Sequence, residues 1–280
     1  MKLVRFSSLI ITGMVLMTVS VSAQEMRVYT VVRNLAAGSG RQDKDAPVLA
    51  RSLTLFHAGK VYDYVESARE VTVYEPAHHR FTLLNERRRT VTEVTQDEVR
   101  QFVTLVEQEG WKRMEAAQEQ PGTDQVRSLN WLKFQLKPDF DTSFDQARMS
   151  VTLLEHNCRY SADGQAPPSR AVVDTYLRFA DAAAELNSVL HPQALLPRPR
   201  LRLNEELRQR ELLPVVVDLQ ANLERPLHLQ ARHKWDWKFQ PTDRQLITSW
   251  ESLLNDSTQR RLTFRQYQQE LLSVEVSRNR

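Results

Sequence analysis

Residues 52–94 read SLTLFHAGKVYDYVESAREVTVYEPAHHRFTLLNERRRTVTEV, and this stretch decides the fold. It breaks into runs rich in β-branched and aromatic residues: Ser52–Phe56, Lys60–Glu66, Glu70–Glu75, Arg80–Asn85 and Arg88–Val94. Breaks fall at Ala58-Gly59, Ser67-Ala68, Pro76-Ala77 and Asn85-Glu86. Two to four residues between runs leave room only for hairpins, so the strands must pair antiparallel. Val71 with Val73, and Phe81 with Leu83, sit two apart with polar residues between, the period of a strand with one apolar face.

Outward from this meander the pattern alternates in class. Arg27 to Val32 reads as a strand, followed by a loop through Gly38-Ser39-Gly40. Downstream, Thr95 and Glu98 form a capping box, and Val99, Phe102, Val103 and Val106 make one helical stripe. Gly110 is expected to end or bend that helix, unless the pattern resumes through Trp111 and Met114. After Pro121-Gly122, the alternation of Leu132, Phe134 and Leu136 predicts a strand, and Met149, Val151 and Leu153 predict another. Arg170 to Leu190 carries a wide apolar stripe and predicts the longest helix, stopped at His191-Pro192. Pro192, Pro197 and Pro199 make the segment up to Arg200 an extended arm, and 191–203 is the place for a domain sub-boundary. A short helix over Asn204–Leu212 and a strand opened by Pro214, with Val215, Val217 and Leu219 on one face, follow.

Leu227 to Phe239 then alternates most clearly, with Leu227, Leu229, Ala231, Trp235, Trp237 and Phe239 on one face, interrupted only by His233. Thirteen residues would span roughly 40 Å, and a strand that long must twist and curl. Thr242 with Gln245, and Thr263 with Gln266, predict two terminal helices. The fold class is therefore α+β: a curved antiparallel sheet, half-barrel-like, packed against long amphipathic helices.

The chain opens with Lys2 and Arg5, an apolar run from Leu9 to Val21, and the small-residue exit Val21-Ser22-Ala23. That is the pattern of a secretory signal peptide over residues 1–23. It leaves 24–280 as one α+β domain, exported to the periplasm or beyond. Gln24 follows, so the lipid attachment that needs Cys there does not apply. The chain has 38 basic and 35 acidic residues. Without Lys2 and Arg5 the balance is near neutral, against a nucleic-acid binder. Basic runs at Arg87-Arg88-Arg89 and at Arg198, Arg200 and Arg202 read as solvated surface. No segment beyond the leader is apolar enough to span a bilayer. Cys158 is the single cysteine and reads as an unbridged structural thiol.

Motifs of chemistry are sparse. Glycine is scarce, seven in all, and no glycine-rich loop joins a strand to a helix, which argues against a phosphate or dinucleotide cradle, and no cofactor or metal is expected. His78-His79, His228 and His233 lack ligand spacing. Asp63 with Glu66, or Glu75 with Asp97, could form a carboxylate pair for hydrolysis, but nothing sets their separation. The aromatic rows are the candidate binding residues: Trp235, Trp237 and Phe239, with Tyr62 and Tyr64. Such rings either line an apolar groove or form the core beneath the long helix.

An export leader followed by short strands at Leu53–Phe56, Val61–Tyr64, Val71–Tyr74, Phe81–Leu84 and Val91–Val94, with a helix packed against them, resembles the periplasmic lipoprotein-carrier (LolA-like) superfamily. The likeness is architectural, covers about residues 27–240, and rests on no motif that carries over a functional residue. Those carriers usually begin with a helix, whereas this mature chain begins with a strand. The resemblance implies a half-barrel closed by helices that holds lipid, lipoprotein or peptide in its concave face. The expected function is thus an exported envelope binding or carrier protein. The alternatives are an exported hydrolase with a dispersed site, or a structural or interaction protein without a small ligand.

Overall fold

A computed structural model of the chain describes residues 25–36, 46–118, 123–191, 195–223 and 225–278. The expected leader and its cleavage point, the Gly38-Ser39-Gly40 loop, the Pro121-Gly122 turn and Pro192 lie outside the described residues.

The meander folds as its spacing demands. β1 (Met26–Asn34) pairs with β2 (Val48–His57), and β3 (Lys60–Val65), β4 (Glu70–Glu75), β5 (Arg80–Asn85) and β6 (Thr90–Thr95) follow, each antiparallel to the last. Between His57 and Lys60 the chain reverses through Ala58 (φ 49°) and Gly59 (φ 78°). Two positive φ values suit the right-handed twist of a two-residue hairpin, and glycine supplies the second without strain. After β6 come α1 (Gln96–Gln118) and α2 (Thr123–Leu136), then β7 (Asp141–Asp145), β8 (Ser150–Glu155) and β9 (Cys158–Gln165). α3 (Arg170–Leu190), α4 (Arg198–Gln209), β10 (Leu213–Ala221), β11 (Leu227–Asp236), α5 (Pro241–Asn255), β12 (Arg260–Leu262) and α6 (Phe264–Arg278) complete the order.

The twelve strands of the described residues form one curved, open sheet in the order β12-β6-β5-β4-β3-β2-β1-β11-β10-β9-β8-β7. Among the described residues only the β12–β6 pair is parallel. The pairing of β1 with β11, from Arg27–Asp236 to Asn34–Leu229, joins the two meanders into one surface. The fold class is α+β, as the sequence predicts.

The sheet has two apolar faces. The inner one carries Met26, Val28, Phe56, Val61, Tyr74, Phe81 and Leu83 on the first meander and Val151, Leu153, Tyr160, Val217 and Leu219 on the second, all packed with α3 residues in one core. The outer one is smaller: Leu55, Tyr62, Val71, Val73, Leu84 and Val91 lie beneath Ile247 and Trp250 of α5. Trp250 is 1% exposed and stacks on Tyr62 at 6.3 Å. Its indole N–H donates to Glu86 Oε1 at 3.2 Å.

Helix starts follow local rules. Thr95 Oγ1 accepts from the Glu98 N–H while Glu98 accepts from the Thr95 N–H, the reciprocal box that opens α1. Thr263 and Gln266 do the same for α6. α5 instead starts one residue before the predicted cap: Pro241 takes the first turn, and Asp243 accepts from the Gln240 N–H at 2.7 Å.

Four expectations need correction. Residues 132–136 are helical, not a strand. Leu132 and Leu136 are also four apart, and Trp131 and Phe134 three apart, so five residues fit either period. Gly110 does not end α1, which runs on through Trp111 and Met114 to Gln118. A Cβ there would meet Leu136 at 3.1 Å, so the glycine admits α2 closely against α1. The proline arm is helical from Arg198, because proline is tolerated in a helix's first turn. Finally β11 stops at Asp236, which faces Arg27 in the last pair of the β1–β11 ladder. Trp237 and Phe239 therefore lie past the strand, and Phe239 joins the outer cluster.

Candidate functional site

α3 fills much of the concave face. Its Tyr176 and Phe179 meet Phe56 at 6.3 and 5.8 Å, and Phe179 meets Tyr74 at 6.3 Å. Val172, Val173, Leu177 and Leu186 are buried alongside. Over β2 to β5 the inner-face residues Phe56, Val61, Tyr74, Phe81 and Leu83 are each buried to 3% exposure or less in this packing. Along the seam of β1 and β11 the cover is thinner. Thr30, Val32 and Asn34 of β1, and Leu227, Leu229, Ala231 and His233 of β11, share the inner face and are all only half-buried.

At the Leu227 end of this seam the sheet faces the α1–α2 hairpin across a groove of about 740 Å³. α1 contributes Leu105, Val106 and Gly110, and α2 contributes Trp131 and Leu132. Leu195 and Leu196 precede α4, Leu223 ends the β10 side, and Leu227 and Leu229 form the floor. Glu109, Arg113, Gln135 and Arg225 sit among them. The hairpin closes where Gly110 of α1 admits Leu136 of α2, and on α2 the rings of Trp131 and Phe134 stack 5.2 Å apart. Leu105, 59% exposed, stands on the groove wall open to solvent. A concavity of this size lined mainly by aliphatic side chains suits an apolar ligand.

At the other end of the seam the inner face becomes polar. Thr30 Oγ1 lies 2.9 Å from His233 Nδ1. His233 Nε2 is buried and has no hydrogen-bond partner. The Tyr176 ring stands edge-on to His233 at 6.4 Å and to Trp235 at 4.7 Å. Tyr176 and Tyr160 both bring their phenol oxygens to Arg200, whose Nε donates to Asn204 Oδ1 at 2.9 Å. Burial, with the Arg200 guanidinium nearby, pushes the His233 pKa down to about 3, so the ring is neutral. Three strands away, Thr54 donates to Asp63 at 2.7 Å. Burial pushes the Asp63 pKa up to about 6 despite that bond. At about 4.8 Å per strand, Asp63 and His233 are some 14 Å apart and do not form a pair.

The predicted binding residues separate between the two faces. Trp235 and Trp237 are on the inner face, stacked on each other at 5.7 Å and partly buried against the core. The Trp235 indole N–H donates to the Pro214 carbonyl at 2.9 Å. Tyr62, Tyr64 and Phe239 are on the opposite side, under or beside α5. Tyr62 donates to Glu251 at 2.6 Å, and Tyr64 packs against Trp250 at 5.4 Å. These three rings build the outer cluster and do not face the groove. The carboxylate pairs are not assembled either. Asp63 faces inward while Glu66 is exposed in a turn, and Glu75 binds Arg80 at 2.7 Å while Asp97 faces Arg100.

Cys158 is free and buried, its thiol pushed up to about 11 by burial and by Glu155. His228 points to the outer face, 2.9 Å from Asp218, and His79 occupies a left-handed turn position. Among the described residues no three His, Cys, Asp or Glu side chains converge as metal ligands do, and no helix is long and apolar enough to cross a membrane.

Sequence reasoning missed the groove walls and Arg200. Leu105 and Val106 look like an ordinary helix stripe, and Arg200 sits in a basic run that reads as solvated. The turn of α4, which sends Arg198 and Arg202 outward and Arg200 inward, is the decisive feature. Compared with known protein families and with curated protein sequences, the chain matches none.

Proposed function

We propose that the protein is an exported cell-envelope binding or carrier protein that holds an apolar ligand, a lipid, lipoprotein chain or peptide, in the groove between the α1–α2 hairpin and the β11 floor. The observation that carries this reading is the groove itself: about 740 Å³, walled by leucines from five segments, at the end of the concave face that α3 leaves uncovered. Apolar surface buried there gains about 25 cal/mol per Å², so an acyl chain has a sufficient reason to leave water. Export is supported by the leader-like residues 1–23.

The test is to purify the protein from the envelope fraction and examine it by native mass spectrometry and solvent extraction. The delipidated protein is then titrated with the neutral dye N-phenyl-1-naphthylamine. A bound lipid or peptide, and saturable dye binding weakened by Leu105→Asp, are the expected results. Protein at its bare mass that binds no dye would overturn the reading.

A further inference from the structure

α4 carries four arginines, and three are matched to carboxylates. Arg198 grips Glu107 through two bonds of 2.6 and 2.7 Å. Arg202 meets Glu206 at 2.6 Å and Arg208 meets Asp181 at 2.6 Å. Arg200 is the exception and is also the one that points inward. Among the described residues its partners are neutral: the Asn204 amide oxygen and the phenol oxygens of Tyr160 and Tyr176. Asp181, the nearest acid felt there, is already engaged by Asn204 and Arg208. A guanidinium taken from water costs free energy unless an anion compensates it. Guanidinium is also the side chain whose forked donors fit carboxylate and phosphate.

The neighbourhood repeats the same imbalance. His233 Nε2 is a buried polar atom without a partner, on the strand that floors the groove. Along the inner face of β11 the order is Leu227, Leu229, Ala231, His233. From Leu229 to His233 is roughly 13 Å at 3.3 Å per residue. The step between is Ala231, small and half-buried, opposite the half-buried Val32. An extended chain lying on this floor with its tail in the leucine groove would bring its other end to Arg200.

We propose that the carried ligand is a single-chain amphiphile with an anionic head group, a carboxylate or a phosphate, and that Arg200 binds the head while the groove holds the tail. Tyr160, Tyr176 and His233 surround the head. This rests on the carrier reading and specifies its ligand class.

The experiment uses delipidated full-length mature protein and displacement of N-phenyl-1-naphthylamine by three probes of equal chain length: dodecanoate, dodecyl phosphate and dodecanol. At least one anion is expected to compete about tenfold or more better than the alcohol, the value of one charge-assisted hydrogen bond. Preference for dodecanoate assigns a fatty acid, and preference for dodecyl phosphate a phospholipid-type head. Arg200→Gln should abolish the preference for the anion over dodecanol, and Arg200→Lys should keep part of it. If wild-type protein binds all three probes equally, the head-group assignment is wrong and the carrier reading stands. The assignment also fails if Arg200→Gln, folded by circular dichroism, keeps the preference. If neither dye nor any probe binds, the carrier reading itself has failed.

Discussion

Replacing His233 with Asn should make the protein's stability more resistant to mild acid. Asn preserves a partner for Thr30 Oγ1, which lies 2.9 Å from His233 Nδ1, but it does not titrate. In the folded chain the His233 pKa is pushed down to about 3 by burial first and by Arg200 second. A histidine with a depressed folded-state pKa takes up its proton only on unfolding, so acid favours the unfolded chain. Its contribution is whole above the unfolded pKa of about 6.5 and is drawn down as pH falls toward 3. At about 1.36 kcal/mol per pH unit, going from pH 7 to pH 5 should remove about 2 kcal/mol through His233. Asp63 works in the opposite direction. Its pKa is pushed up to about 6, so the folded chain binds the proton first and gains about 1 kcal/mol over the same window. Considering these two groups, wild-type protein should lose about 1 kcal/mol between pH 7 and pH 5, and His233→Asn should gain about 1 kcal/mol. Urea unfolding followed by tryptophan fluorescence at pH 7, 6 and 5, at fixed ionic strength, measures both curves. Other titrating groups are shared by the two proteins and cancel in the difference. Parallel pH profiles for the two proteins would refute the desolvation of His233 Nε2 beside Arg200.

Trp250→Ala should cost about 3–5 kcal/mol in the same unfolding assay, because the ring is buried against Tyr62 and Tyr64 and is the centre of the outer cluster; a loss under about 1 kcal/mol would mean that α5 is not held by this contact. Cys158 should react with a thiol reagent only after denaturant is added, and non-reducing electrophoresis should give a monomer, since the thiol is buried and its pKa raised to about 11; a quantitative dimer abolished by Cys158→Ala would contradict this. N-terminal sequencing of protein from the envelope fraction should begin at Gln24, and recovery of intact Met1 would count against a cleaved leader.

Much of the fold was legible because hairpins and caps are local. The strands between Lys60 and Asn85, the capping box at Thr95 and Glu98, and the long helix Arg170–Leu190 each follow from residues within one or two turns of each other. The strand edges β7 and β12 were not legible. Asp141–Asp145 is exposed throughout and has no apolar face to show, and Arg260–Leu262 is three residues held by pairing to β6. The helix over Thr123–Leu136 was misread because an alternation of five residues satisfies two periods at once.

The site depended on facts that no local pattern contains. By itself the sequence determined that the chain forms a curved antiparallel sheet with amphipathic helices, since strand period, turn residues and helix stripes are properties of neighbours along the chain. Only the tertiary structure decided which face each ring serves. Tyr62 and Trp235 carry equally apolar strand signals, yet one packs beneath α5 and the other faces α3, because a two-sided sheet is apolar on both faces and alternation does not name the inner one. The same holds for Arg200. Its charge looks solvated in sequence and becomes interior only when α4 is laid against Tyr160 and Tyr176, contacts made across 40 and 24 positions of chain.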